Sequence, residues 1–402
     1  MTSNIVNATE TPQVHIPTRT TARKLENHTE LTVCFSPVQQ VNDAFVLKPG
    51  GQFYYEQRPV PTEVTGRDVL IRVVATGICG SDVHYWQHGR VGPYEVTSPL
   101  ILGHESAGVV LATGPLVSTL AAGDAVALEP GVSCTTCTHC RAGRYNLCAA
   151  MKFAATPPHD GTLATTYVLP EECCFRLPQG MTFEEGALVE PLSVAVHCSR
   201  LAGLKPGVKV LVFGAGPIGL LVCAVARAFG AGVVAVADIN EPRLGFAKEY
   251  VKGGVETVVI KPGEEGLAER IVRETVGVDE EGFDVVIEAT GVQACINEGV
   301  GALKRGGTFV QAGLGNSQVL FPIGLVCDKE VNFKGSFRYG PGDYSLAIDL
   351  VGRGAVSVSE LVTHRYAFEE AEKAFQGVAK REGIKSVIYG PGIKAADASS
   401  RL

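Results

Sequence analysis

The chain has 402 residues, 46% of them hydrophobic and 19% charged, with a formal net charge of -7. That length accommodates two domains with sizeable cores, and the balance is that of a folded globular protein rather than a fibrous or low-complexity one. The acidic balance, with no Lys/Arg cluster, argues against a nucleic-acid partner.

Residues 1–41 are polar, Thr/Asn-rich, and lack the apolar core of a secretory signal. Arg19, Arg23 and Lys24 point towards a transit peptide, but Glu10, Glu26 and Glu30 oppose it. The expectation is a disordered extension. From Asn42 to Gly131 short β-like runs alternate with Gly and Pro turns, among them Asp68 to Val74 and Ala107 to Ala112.

Cys134, Cys137, Cys140 and Cys148 form a C-x2-C-x2-C-x7-C pattern. Four thiolates so close together can close a tetrahedral shell around one structural Zn2+. An iron–sulfur cluster or a disulfide pair are the alternatives. The twelve cysteines, without a signal peptide, indicate a reducing compartment, where clustered thiols serve metals more often than disulfides.

The longest uncharged stretch, Val210 to Ala226, is short for a membrane span, and Gly214, Gly216, Pro217 and Gly219 break its middle. A buried strand, turn and helix fit it better. Beyond Val194 apolar strands alternate with helical runs. The strands are Val208 to Phe213, Val233 to Ala237, Thr257 to Ile260, Asp284 to Glu288 and Thr308 to Gln311, with helices at Leu220 to Phe229 and Arg243 to Tyr250. Such alternation predicts βαβ units and a doubly wound parallel sheet.

Inside this pattern Gly214-Ala215-Gly216-Pro217-Ile218-Gly219 stands between a strand and a helix, the setting of a dinucleotide fingerprint. Gly214 and Gly216 allow a tight turn and close approach of pyrophosphate, and the helix that follows offers free N–H groups. Asp238 ends the next strand, 19 residues after Gly219, where a carboxylate accepts ribose hydroxyls and repels a 2′-phosphate. NAD is expected over NADP. Arg243 either flanks the adenine or is a solvated helix residue. After Asn332 two helical stretches follow, Tyr344 to Gly352 and Phe368 to Lys380. The terminal Ser400-Arg401-Leu402 is similar to a peroxisomal address, so the expected location is the cytoplasm with the peroxisome as alternative.

Three separated pieces bring metal-type residues into apolar surroundings: Gly77 to Asp82, Gly103-His104-Glu105, and Glu190 to Ser193. With GICGSDVHYW, LGHESAGVV, FAATPPHDGTL, EGALVEPLSVAVH, VFGAGPIGLL and GSFRYGPGDY, they make residues 42 to 392 resemble the zinc-dependent medium-chain dehydrogenases. The resemblance is to the polyol branch (sorbitol, xylitol and L-arabinitol dehydrogenases), above all to its fungal xylitol-oxidising members. It implies a GroES-like β-rich catalytic domain at 42–193, a Rossmann coenzyme domain at 194–332, and a return to the catalytic domain at 333–402. It implies catalytic zinc on Cys79, His104 and Glu105, with Glu190 as a fourth ligand, often through a water. Ser81, Glu190 and His84 would handle the alcohol proton, and Tyr85, Phe153, Thr156, Arg338 and Tyr339 would line the polyol cleft. Gly214, Gly216, Ile218, Gly219, Asp238 and Arg243 would hold NAD. The implied activity is oxidation of a polyol to a ketose, xylitol to D-xylulose first, by a homodimer or homotetramer with no membrane or nucleic-acid partner. L-Arabinitol or sorbitol as substrate, a zinc-free quinone-reductase-like enzyme, and a non-catalytic NAD-binding regulator are the competing readings.

Overall fold

The structure, a computed structural model, describes residues 41–61 and 63–402. The extension expected at 1–41 lies outside these residues except for Val41. Two β systems share the chain. A three-stranded antiparallel sheet joins Val41–Leu47 to Phe53–Pro59 and Leu100–Ile101. A larger sheet runs in the order Cys174–Arg176, Ala125–Leu128, Glu105–Thr113, Asp68–Gly77, Lys385–Tyr389, Val362–Tyr366, and Thr166–Pro170 also pairs with Asp68–Gly77. Strands from the end of the chain therefore sit beside those from its beginning, so the C-terminal stretch returns to the sheet built by the first part of the chain.

The second system is a six-stranded sheet, parallel throughout. Its order is Glu256–Val259, Val233–Asp238, Lys209–Phe213, Phe283–Glu288, Leu303–Gln311, Asn332–Gly335. Its central strands are continuous apolar runs because helices cover both faces: Val210, Leu211, Val212 and Phe213 are all fully buried. The strand order reverses between Lys209–Phe213 and Phe283–Glu288, and the glycine turn lies at that switch point. Lys329 closes one helix end by donating from Nζ to the carbonyls of Gly301 and Leu303, each at 2.6 Å.

The expected boundary at 193/194 falls inside the helix Val189–Ala202, and that at 332/333 inside the strand Asn332–Gly335. That helix is buried along most of its length and carries one continuous core from Val74 and Ala107 of the larger sheet to Val210 of the parallel sheet and Leu220 of the helix Pro217–Ala228 packed on it. Within the stretch read as β-rich, Gly80–His88 is a helix. Among the described residues, no helix is long and apolar enough to cross a membrane.

Candidate active site

The helix Gly80–His88 starts where it does because Asp82 returns to its own beginning. Its Oδ2 accepts from the Cys79 N–H at 3.1 Å, a reciprocal cap that fixes Cys79 at the helix entrance. Its Oδ1 accepts from the Gly103 N–H at 3.2 Å and lies 3.4 Å from His104 Nδ1. One buried carboxylate thus orders two separate strand-end loops. Burial opposes its charge, but His104 and the two backbone N–H groups hold its pKa below the ordinary carboxylate value. For His104 burial pulls downward, and Asp82 outweighs it, holding the imidazole well above the ordinary value. With Nδ1 committed to Asp82, Nε2 is the nitrogen free for a metal.

The ligand atoms of Cys79, His104 and Glu105 lie within 4.8 Å of one another. Glu105 is 1% exposed, and Lys385 Nζ approaches its Oε1 at 2.6 Å and the Ile78 carbonyl at 2.9 Å. Burial works against the Lys385 charge, but Glu105, Cys79 and Glu190 keep its pKa above the ordinary lysine value. A soft thiolate, an imidazole and a carboxylate are the donor set of a zinc site that leaves a position open, so the residues fit that ion. Glu190 stands outside this set of three. It is buried, and burial pushes its carboxyl up to about 7, with His104 and Lys385 opposing the shift and Glu105 adding to it.

The four lobe thiols also lie within 4.8 Å of one another, with Sγ separations of 3.5 Å for Cys137–Cys140 and 4.0 Å for Cys134–Cys140. Disulfide sulfurs would be about 2.05 Å apart. A tetrahedron of ~2.3 Å zinc–sulfur bonds has edges of about 3.8 Å, which these separations match. N–H groups of Cys137 and Thr136 point at Cys134 and lower its thiol to about 6, which favours the thiolate that a metal needs.

On the nucleotide side, Gly214 has φ +99°, a conformation that favours glycine. A Cβ on Gly219 would fall 1.8 Å from the Gly214 carbonyl oxygen, whereas one on Gly216 meets nothing within 4 Å. The first and third glycines therefore build the turn, and the second leaves open space before the N-terminus of the helix Pro217–Ala228. Asp238 accepts from the Ala215 N–H at 2.6 Å and the Asn240 N–H at 2.8 Å, so it braces this turn. Arg243 reaches across the cleft to the Arg381 and Gly383 carbonyls, both at 3.4 Å. A cavity of about 190 Å³ is lined by Cys79 and Glu105 on one side and Pro217, Ile218 and Arg243 on the other. The metal cluster and the glycine turn thus open onto one space.

Phe153 and Arg338 meet face to face, with the guanidinium carbon 3.7 Å from the ring centre. The Phe153 ring is 5.8 Å from that of His104, which brings this pair beside the metal cluster. Burial lowers the Arg338 pKa, and the charges of Tyr339, Glu190 and Tyr85 oppose this. Tyr85 is buried, and burial raises its hydroxyl pKa while Thr156 and His104 oppose the shift. Tyr339 is 2% exposed, and among the described residues its hydroxyl has no hydrogen-bond partner. Ser81 is half-buried in the first turn of its helix. His84 is exposed on the same helix beside His88, ring centres 5.4 Å apart, rather than turned into the cluster. The motifs place Asp82 at the end of the Gly77 to Asp82 piece but give it no role, and they do not include Lys385. The cap spacing Cys79-x-x-Asp82 was a usable signal for the first; nothing local signals the second, 280 residues from Glu105.

Residues 65–179 match the alcohol dehydrogenase GroES-like domain and residues 217–353 the zinc-binding dehydrogenase domain. The chain is 51% identical over 353 residues to D-xylulose reductase A of Aspergillus niger, covering 87% of this chain and 97% of that protein. It is 50% identical over 358 residues to D-xylulose reductase A of Aspergillus oryzae, covering 88% and 98%. Among solved structures it is similar to L-idonate 5-dehydrogenase of Escherichia coli (27% identity, TM-score 0.78, covering 87% of this chain and 98% of that one). It is also similar to a zinc-binding dehydrogenase of Sinorhizobium meliloti solved with NADP (30% identity, TM-score 0.79, covering 87% and 100%). With both domains matched and relatives this close over nearly their whole length, the chain belongs to the zinc-dependent medium-chain dehydrogenases.

Proposed function

We propose that this enzyme oxidises xylitol to D-xylulose with NAD, and runs the reverse reduction with NADH. The observation that carries the reaction type is the shared cavity, which places Cys79 and Glu105 opposite Pro217 and Ile218. The substrate reading rests on the two D-xylulose reductases above and on the polar side chains Tyr85, Thr156, Arg338 and Tyr339 grouped near Phe153. Bound zinc supplies Lewis-acid polarisation of the substrate oxygen, and bound NAD accepts the hydride.

The protein's own groups supply orientation and proton handling. Cys79, His104 and Glu105 are the proposed metal ligands, with Glu190 beside them. A Glu190 carboxyl near 7 can hold or release a proton at neutral pH. Ser81 at the helix entrance and exposed His84 further along it provide the proposed route to solvent. Arg338 offers guanidinium donors to the hydroxyls, Tyr85, Thr156 and Tyr339 add hydroxyl partners, and Phe153 forms the apolar wall. Gly214, Gly216, Ile218 and Gly219 form the pyrophosphate turn. Asp238 keeps lone pairs for ribose hydroxyls beyond its two backbone bonds, and its charge supports NAD over NADP. The proposed division is a catalytic unit of 42–193 with 333–402 and a coenzyme unit of 194–332, its last strand running on to 335.

The strand Asn332–Gly335 is exposed at every residue and forms the edge of the parallel sheet. Leu320, Ile323 and Phe333 are exposed around it, and the Phe321 and Phe333 rings pack 5.1 Å apart. An apolar open edge supports assembly with a second copy. The eleven unpaired described cysteines support residence in the cytoplasm, and a fluorescent fusion appearing in peroxisomes would move that assignment.

The deciding experiment follows reduced-nicotinamide absorbance with xylitol, L-arabinitol, sorbitol and ethanol, each with NAD and NADP. A lead for xylitol with NAD is expected. A lead for another polyol would replace the substrate and keep the chemistry. Silence from every polyol in zinc-loaded protein would overturn the enzyme reading in favour of an NAD-binding regulator.

A further inference from the structure

The four-cysteine lobe closes on itself and has no part in the chemistry above. Two side chains between its third and fourth cysteines nevertheless reach out of it. Tyr145 donates from its hydroxyl to Glu129 at 2.6 Å. Asn146, buried, donates from Nδ2 to the Phe337 carbonyl at 2.9 Å.

That carbonyl belongs to the peptide leading into Arg338, whose φ is +56°. A non-glycine residue avoids this region, so its surroundings must hold it there. The loop is tied at both ends. The Ser336 N–H donates to the Gln311 carbonyl at 2.8 Å, and the Gly340 N–H donates to Asp343 Oδ2 at 2.7 Å. Asp343 is itself gripped by His197 at 2.8 Å and Arg200 at 2.5 Å. Between these ties, the Asn146 bond sets the tilt of the peptide before Arg338. The guanidinium that results lies over Phe153, and among the described residues it has no hydrogen-bond partner. Its donors are left unengaged above Phe153, whose ring neighbours His104.

We propose that Asn146 is a positioning residue for the polyol. It sets the aim of Arg338 through the Phe337 carbonyl, and so couples the metal-bound state of the four-cysteine lobe to substrate affinity. Asn146 lies in the turn Tyr145–Leu147, which runs directly into Cys148, so the order of that turn depends on the thiol being held. The inference rests on Arg338 contacting the polyol.

The test compares Asn146→Ala, Arg338→Ala and the double variant, all with zinc content verified. Readouts are KM and kcat for xylitol, KM for NAD, and the rise in melting temperature caused by xylitol in the presence of NADH, a pair that cannot turn over. Asn146→Ala should raise the xylitol KM by about tenfold and shrink the xylitol-induced thermal shift, with a smaller change in kcat and none in the NAD KM. In the Arg338→Ala background it should add nothing further. Asn146→Asp, of equal size but without the N–H donor, should behave like Asn146→Ala, and Asn146→Gln should recover part of the affinity. Cys137→Ser should reproduce the KM effect. An unchanged xylitol KM and thermal shift in Asn146→Ala, or full additivity in the double variant, would overturn the proposal. A normal xylitol KM in Cys137→Ser protein that has lost its lobe zinc would overturn the coupling. Arg338→Ala with normal polyol binding would instead remove the reading of Arg338 on which both stand.

Discussion

His104 presents one ring nitrogen to the metal pocket because Asp82 faces the other at 3.4 Å. Asp82→Asn removes the charge that orients the ring and keeps an acceptor for only one of the Cys79 and Gly103 N–H groups. Catalytic zinc affinity should fall about 10–100-fold, read by competition with a chelator, while the lobe keeps its metal. Glu129 allows a second test, on stability. Burial raises its carboxyl from 4.5 to about 7, and the Tyr145 hydroxyl only partly offsets this. Because the folded value is raised, the protonated form favours the fold. This group's contribution is fully present below the unfolded pKa and is lost as pH rises through 7. Glu129→Gln keeps an acceptor for Tyr145 and has no such slope. Its stability relative to the parent should improve by about 2–3 kcal/mol between pH 5 and pH 8, measured by denaturant unfolding at both. At this scale the sequence displays the ligands but not what supports them. Cys79, His104 and Glu105 stand in recognisable local words. The importance of Glu129 depends on which charges its burial places nearby, and that is set only by the tertiary fold.

The glycine turn and its helix are the element best read in advance, because a buried strand, three glycines and an apolar helix are all local features. What they do separates only in three dimensions. Gly216→Ala meets open space and should fold with near-normal stability but bind NAD more weakly. Gly219→Ala drives a methyl into the Gly214 carbonyl and should cost about 3 kcal/mol or more. Melting temperature and NAD titration on the two variants separate these roles; equal stability loss in both would contradict the geometry. The helix Gly80–His88 was the opposite case. Its nine residues include two histidines, a tyrosine and a tryptophan, with no strong apolar face. It forms because Asp82 caps it and because the aromatic cluster of Phe45, Phe53 and Phe375 receives Trp86. The helix Val189–Ala202 likewise crosses a boundary that the change of pattern placed at 193/194, since a helix buried on both sides shows no seam in its sequence.

For the whole molecule, the exposed edge strand is the feature with the largest consequence for assembly. A Leu320→Lys/Ile323→Lys variant places two charges beside that edge without touching the buried core. Sedimentation should show the parent as an oligomer and the variant shifted towards monomer with its secondary structure intact. An unshifted variant would move the interface elsewhere. The two-unit organisation was visible as a change from period-two strands to βαβ alternation. The return of the chain was visible only as a tail of helices, because the strands Val362–Tyr366 and Lys385–Tyr389 are short and carry His364, Arg365 and Lys385 among their apolar residues.

Lys385–Tyr389 lies between Asp68–Gly77 and Val362–Tyr366 in the larger sheet, antiparallel to the first and parallel to the second. During synthesis, therefore, the first half of the catalytic unit leaves the ribosome with part of the Asp68–Gly77 edge unpaired and with Glu105 lacking the Lys385 ammonium. The parallel sheet has all six of its strands once residue 335 has emerged. The part of the chain made second can complete its fold first, and the earlier part must wait for the last twentieth of the protein before its metal pocket is whole.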